Sequence, residues 1–328
     1  MKRRTRFHVA PVTLIVVLVG ALCSVATNAA QMARSVTITI LSSNLANGDT
    51  IGEWGFSALA EVDGRCILFD AGYYPDTVLR NAQALGVDLS CVQDVVLSHF
   101  HADHNGGLLP LLQDTRARNP DALRRIHVAE GFFLSRRSSG TGGAEGNLMI
   151  AMRKKLEAAG VEFIVHAEPA EISPAVWVTG PVERIHPEKN YGQTVQVKLD
   201  GQWVVDHVPE SQGLAIVTPE GPIVLLGCGH SGAVNLLGQV RRSIQDHSIH
   251  ALMGGMHLFA ADDQTLGWTS DRLREIGVQH LMAGHCTGIE PLIRLRTGLN
   301  LSRSTAVVGA VGSRFVYGEG IHPTAIAQ

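Results

Sequence analysis

Residues Ser98 to Gly107 read Ser-His-Phe-His-Ala-Asp-His-Asn-Gly-Gly, with three histidines and an aspartate inside six positions. The apolar, β-branched run Val95-Val96-Leu97 precedes them and predicts a buried strand. Gly106-Gly107 and Leu108-Leu109-Pro110 follow and predict a tight turn into a helix. The cluster therefore sits on a loop at a strand end, where a rigid scaffold carries chemistry. Residues i and i+2 of an extended segment point to the same side, so His99 and His101 can present two imidazoles to one metal ion. Asp103 and His104 come where the chain turns and can face a second ion. Imidazole and carboxylate suit zinc first, with iron or manganese as the other choices. A lone His-x-His fits a solvated loop or a single structural site. The full His-x-His-x-Asp-His after an apolar strand points instead to a functional metal loop.

Around this loop lies a chain of 328 residues, 45% hydrophobic and 17% charged. That composition supports a sizeable core and excludes a disordered or fibrous chain. The formal net charge of −3 gives no bulk-charge case for nucleic-acid binding. Residues 1–30 predict a signal peptide. Lys2, Arg3, Arg4 and Arg6 form its basic start, Val12 to Leu22 its apolar middle, and Thr27 to Ala30 its small-residue cleavage zone. The expected location is periplasmic or secreted, with no stable membrane span once the signal is removed. An uncleaved anchor over Val9 to Ala26 is the alternative. Residues 31–328 carry no linker-like shift and are expected to form one domain. They hold four cysteines, Cys66, Cys91, Cys228 and Cys286, whose pairing sequence leaves open. Cys228 and Cys286 lie in suspected site motifs.

Alternation predicts a strand over Val36–Leu41, then strands Phe56–Val62 and Cys66–Phe69 joined at Asp63-Gly64. Asp70, at a strand end before Gly72, is a candidate for holding the neighbouring loop by hydrogen bonds, or an ordinary turn residue. Helices are expected over Asp76–Leu85, Leu148–Ala159, Val234–Gln245, Asp263–Ile276 and Ile289–Leu295. Further strands are expected at Ile126–Ala129, Val161–Val165, Ala175–Val178, Trp203–Val208, Leu214–Thr218, Ile223–Leu226, Ala251–Met253 and Gln279–Met282, with short ones near Ala306 and Phe315. The Gly- and Ser-rich stretch Phe132–Asn147 reads as a lid, a binding loop or a surface insertion. Interleaved strands and helices in both halves predict a layered α/β domain with helices on both outer faces.

Three more histidines repeat the layout of the first cluster. His230 stands in Gly227-Cys228-Gly229-His230, His257 in Gly254-Gly255-Met256-His257 and His285 in Gly284-His285-Cys286-Thr287-Gly288, each just after a predicted strand. Strand ends on one edge of an α/β fold are the expected site. In Asp206-His207-Val208-Pro209-Glu210-Ser211, Asp206, His207 or Glu210 could be the feature that matters.

Taken in order, Gly55-Phe56-Ser57, Leu68-Phe69-Asp70-Ala71-Gly72, the His-x-His-x-Asp-His loop, Thr179 to Arg184, Gly227-Cys228-Gly229-His230, Gly254 to Leu258 and His285-Cys286-Thr287-Gly288 resemble the metallo-β-lactamase superfamily. Within it they are similar to the branch of dihydropterin-ribofuranosyl-aminobenzene-phosphate synthase-like metal-dependent hydrolases. The resemblance implies a four-layer αβ/βα sandwich with a metal centre at one edge. It implies His99, His101 and His230 around one ion, with His207 as the alternative third ligand, and Asp103, His104 and His285 around another. Where many members carry a Gly-Asp whose carboxylate bridges two metals, this chain has Gly227-Cys228, so one or two ions are both allowed. The implied activity is hydrolysis of a small-molecule ester, lactone or phosphoester by a metal-bound hydroxide, with Asp103 as the catalytic residue that orients it. Arg184, Glu210 and His257 are the candidates for substrate binding or proton transfer. Two other readings keep the metal loop: a di-iron redox or oxygen-handling site, which a flavin-binding domain would be expected to accompany, and a non-catalytic exported metal- or ligand-binding protein.

Overall fold

Period-two alternation decides which face each strand gives to which layer. Ile38, Ile40, Ala58, Ala60, Ile67, Phe69 and Val96 enter one apolar cluster. The residues between them, such as Leu59, Leu68, Val95 and Leu97, enter a second. Leu214, Ile216, Ile223, Leu225 and Met253 join the first cluster from the other side. Their neighbours Ala215, Val224, Leu226 and Leu252 form a third. The first cluster is thus the seam between two sheets, and the other two lie beneath the helices that cover the outer faces.

A computed structural model describes Met1, His8 and residues 31–140, 142–188 and 190–328. The expected signal segment therefore lies outside the described residues, apart from those two. Residues 31–328 gather into one compact unit. One sheet has eight strands, in the order Gly320–His322, Arg314–Val316, Val36–Ser42, Ser57–Val62, Arg65–Phe69, Val92–Val96, Arg125–Ala129 and Glu162–His166. Its last four strands are parallel. Helices Thr77–Ala84, Leu108–Arg118 and Met149–Ala158 pack on its outer face. The other sheet has seven strands, in the order Ala306–Val308, His280–Ala283, Ala251–Gly254, Ile223–Leu226, Gly213–Ile216, Val176–Val178 and Ala170–Ser173. Its first four are parallel, and helices Ala233–Ser243, Asp263–Ile276 and Ile289–Gly298 cover it. The expected four-layer sandwich is the observed one. Among the described residues no helix is long and apolar enough to cross a membrane.

Where the elements differ from expectation, short polar strands are the reason. Val195–Leu199 pairs with Gln202–Val205 and with Arg136–Ser138 in a separate three-stranded sheet. Arg136–Ser138 lies inside the expected lid. Arg136 is fully buried and ion-paired, so that half of the segment is anchored in the protein. Cys66 and Cys91 form a disulfide, and Cys228 and Cys286 are free and buried.

Candidate metal centre

Parallel strands point their C-terminal ends the same way, and the candidate ligands other than His207 follow such ends. The loop of His99 to His104 follows Val92–Val96, and His230, His257 and His285 follow three adjacent parallel strands of the facing sheet. Their side chains meet in two groups, His99 with His101 and His230, and Asp103 with His104, Cys228 and His285.

In the first group, His99 Nε2 lies 2.9 Å and His230 Nε2 3.2 Å from His101 Nδ1. Hydrogen bonds on the far sides of the rings assign the tautomers. His99 Nδ1 lies 2.9 Å from Ser98 Oγ, whose hydroxyl donates to Asp70 Oδ2 at 2.7 Å. His230 Nδ1 donates to the Asn190 carbonyl. The Nε2 lone pairs are therefore aimed at one point. Such a second layer of hydrogen bonds is what holds metal-ligating imidazoles. Burial holds His99 and His230 well below the usual histidine range and lowers His101 to about 4. All three are neutral donors at pH 7.

The second group carries charge. Cys228 Sγ stands 3.2 Å from both His104 Nε2 and His285 Nε2. Asp103 Oδ2 stands 3.6 and 3.3 Å from the same two nitrogens. His104 Nδ1 donates to Asp70 Oδ2 at 2.7 Å. Burial opposes a charge on His104, but Asp70 and Asp103 outweigh it and raise the ring to about 9. Burial also opposes the Asp103 charge, but His104 and His285 hold that carboxyl well below the usual carboxylate range. Burial, with Cys286 beside it, pushes the Cys228 thiol well up. Ligands about 2.0–2.3 Å from a tetrahedral zinc lie about 3.3–3.6 Å from one another. The contacts within the two groups run from 2.9 to 3.6 Å, a little tighter than that spacing at their short end. All donor atoms of each group lie within 4.8 Å of one another, so a small outward shift of the rings lets the residues fit the metal that the loop implies.

Cys228 is the donor the sequence reading left out, taking it only as the absence of a bridging carboxylate. The structure places it between the His104 and His285 imidazoles. His207 does not enter the first group, and its backbone carbonyl accepts from Arg184. Two expected substrate residues are corrected. Glu210 is fully buried, accepts the Phe100 N–H at 3.3 Å and pairs with Arg136 at 2.5 Å, so it braces the metal loop from behind. Arg184 donates to the carbonyls of His207 and His230, which ties down the loop of a ligand. Only His257 of the three lines the cleft, a space of about 300 Å³ walled by Trp54, Tyr73, Ala102, Cys286 and the donors His101, His230, Asp103, Cys228 and His285. Asp70 holds both groups, as its strand-end position suggested. None of the described residues of Phe132–Asn147 lines this cleft.

These features make up a candidate metal site of two adjoining donor groups on a sandwich edge, and the chain belongs to the metallo-beta-lactamase superfamily, whose pattern matches residues 55–238. Its members bind metal ions, usually zinc. The 7,8-dihydropterin-6-methyl-4-(beta-D-ribofuranosyl)-aminobenzene-5'-phosphate synthase of Methanocaldococcus jannaschii is 28% identical over 248 residues, 72% of this chain and 81% of that protein. Tm1679, described as a metal-dependent hydrolase of the beta-lactamase superfamily, superposes with a TM-score of 0.67 at 26% identity, over 81% of this chain and 94% of its own. YhfI from Bacillus subtilis shares the fold, with a TM-score of 0.55 at 15% identity over 86% of this chain and 99% of its own.

Proposed function

We propose that the protein is an exported metal-dependent hydrolase of a small-molecule ester, lactone or phosphoester, with zinc as its metal. The observation that carries this reading is the pair of donor groups opening into one cleft, with Asp103 and His257 on its wall. Metal ions held there supply a water of lowered pKa and a Lewis acid for the substrate oxygen. The chain supplies the rest. Asp103, held ionised, accepts a hydrogen bond from the attacking water and orients it. His257 sits beside His230, ring centroids 4.7 Å apart, where it can pass a proton to the leaving group. Ser98, Asp70 and Asn190 fix the ligand rings before substrate arrives, so little reorganisation is needed during reaction. Tm1679's description supports hydrolysis. Export is supported by the basic-then-apolar start of the chain and by the Cys66–Cys91 disulfide, which suits an oxidising compartment.

The test is to purify the protein, measure its bound metal and assay ester, lactone and phosphodiester substrates. Hydrolysis of at least one class is expected, lost on chelation and regained with zinc. Undiminished hydrolysis after chelation or in His101→Ala overturns the proposal.

A further inference from the structure

Exposed aromatic side chains scattered singly over a surface need no explanation, but here three gather at the mouth of the metal cleft. Trp54 is 49%, Tyr73 42% and Phe259 51% exposed. They come from three separate loops, after strands Val36–Ser42, Arg65–Phe69 and Ala251–Gly254. The Trp54 ring stands edge-on to Phe259, with centroids 5.9 Å apart and planes at 89°, and lies 5.3 Å from the ligand His285. Phe259 in turn lies 5.1 Å from His257. Trp54, Tyr73 and His257 line the cleft itself.

These rings sit on fixed supports. Glu53 is buried, and its Oε1 accepts from Ser42 Oγ at 2.6 Å and from the Tyr73 N–H at 2.9 Å. Its Oε2 accepts from the Tyr74 N–H at 2.8 Å. One carboxylate thus clamps the loop of Trp54 to the loop of Tyr73. The Tyr73 backbone also lies directly on the metal loop, since a Cβ on Gly106 would stand 1.8 Å from the Tyr73 carbonyl oxygen. Phe56 N–H donates to the Asp103 carbonyl at 3.1 Å, and Phe259 N–H to the Cys286 carbonyl at 3.2 Å. Each aromatic loop is therefore tied to the backbone of a ligand-bearing segment. Preorganised aromatic surface stacks on a ligand without a further ordering cost.

Charge narrows the occupant. Among the described residues no lysine or arginine lines the cleft, and Arg184 is spent on backbone carbonyls. A second anionic group on the substrate would find no cation away from the metals. We infer that Trp54, Tyr73 and Phe259 are the specificity-determining residues of this site, holding an uncharged planar aromatic ring next to the bond that is cleaved. Naming the cleaved bond rests on the hydrolase reading, whereas ring binding does not.

Two measurements keep these apart. The first is saturation-transfer NMR on the purified protein with 2-naphthol and its saturated counterpart decahydro-2-naphthol. Saturable binding of 2-naphthol alone is expected. It should weaken about fivefold to tenfold in Trp54→Ala, the size of a lost aromatic contact, and be largely kept in Trp54→Phe. Bound metal and thermal midpoint, read on the same samples, report folding. The second is the ratio of kcat/KM for benzyl acetate over cyclohexylmethyl acetate, whose leaving alcohols are of similar acidity. The ratio is expected to favour the aromatic ester and to fall by a similar factor in Trp54→Ala. Equal binding of the two naphthols, or 2-naphthol binding untouched by Trp54→Ala, overturns the inference. Ring binding that depends on Trp54, with no ester, lactone or phosphodiester hydrolysed, overturns the hydrolase reading and leaves this inference standing.

Discussion

The two donor groups share a loop and a supporting aspartate, yet they are built on opposite electrostatic plans. His99, His101 and His230 are three neutral imidazoles kept neutral by burial. Asp103, His104, Cys228 and His285 include a carboxylate held ionised, a thiol and an imidazole raised to about 9. A metal entering the first group displaces no proton at neutral pH. A metal entering the second must displace one from His104 and one from Cys228, because ligands bind deprotonated. One edge of one fold therefore offers a site whose occupancy ignores pH and a site whose occupancy follows it.

The largest expected effect comes from separating the two. His101→Ala should lower hydrolysis by about 10³-fold or more, the scale of several kcal/mol of charge stabilisation, while an ion is still retained by the second group. Cys228→Ala should do the reverse to occupancy, keeping the first ion and losing the second. Metal content per chain, measured by mass spectrometry beside the rate, checks both. If either variant empties both groups, the two are one cooperative site and the comparison fails.

Next comes the pH dependence. Between pH 8 and pH 6 the medium lies below the His104 value of about 9 and below the raised Cys228 thiol. Each displaced proton then costs up to about tenfold in affinity per pH unit. The second ion should weaken by up to about 100-fold per unit on acidification. The first should hold level, since its members stay neutral down to about pH 4. Competition with a chelator at pH 6, 7 and 8 measures both slopes. Equal slopes would show that the second ion displaces no more protons than the first.

Asp70→Asn tests the part the two groups share. The carboxylate accepts from His104 directly and reaches His99 only through Ser98. Affinity should fall about 10- to 100-fold at the second group, the usual cost of losing such a support, and less at the first. Removing Asp70 should also lower the His104 value and flatten the pH slope.

How much of this was legible follows the same division. Short apolar runs carried the two main sheets, because strands such as that of Ile67, Leu68 and Phe69 bury residues on both faces. The histidines were legible because a glycine-flanked histidine at a strand end repeats a pattern. Cys228 was not, since a thiol between two imidazoles is a three-dimensional fact that Gly-Cys-Gly does not announce. The aromatic collar has no period, because Trp54, Tyr73 and Phe259 come from three loops. Val195–Leu199 and Arg136–Ser138 were missed as strands, because a small sheet closed by a buried arginine lacks the apolar run that marks the others. Glu210 was misjudged for a related reason. It stands close in sequence to His207 and suggested the cleft, but folding turns it behind Phe100.

That correction supplies the smallest and sharpest prediction. Glu210 and Asp70 are both buried carboxylates serving the same loop, but Asp70 accepts from a ligand ring, whereas Glu210 accepts from the Phe100 N–H and pairs with Arg136. Glu210→Gln keeps an acceptor for Phe100 and removes one charged partner of Arg136. Arg136 retains Asp206 at 2.8 Å and the Leu134 carbonyl at 3.1 Å, and its guanidinium still covers the Phe100 ring at 3.8 Å. The loss should therefore be about 1.5 kcal/mol of folding stability, the low end for a hydrogen bond to a charged group. Urea denaturation measures that loss. Metal affinity and KM should match the parent, in contrast to Asp70→Asn. A rise in KM without a loss of stability would return Glu210 to the cleft and make the bracing role wrong.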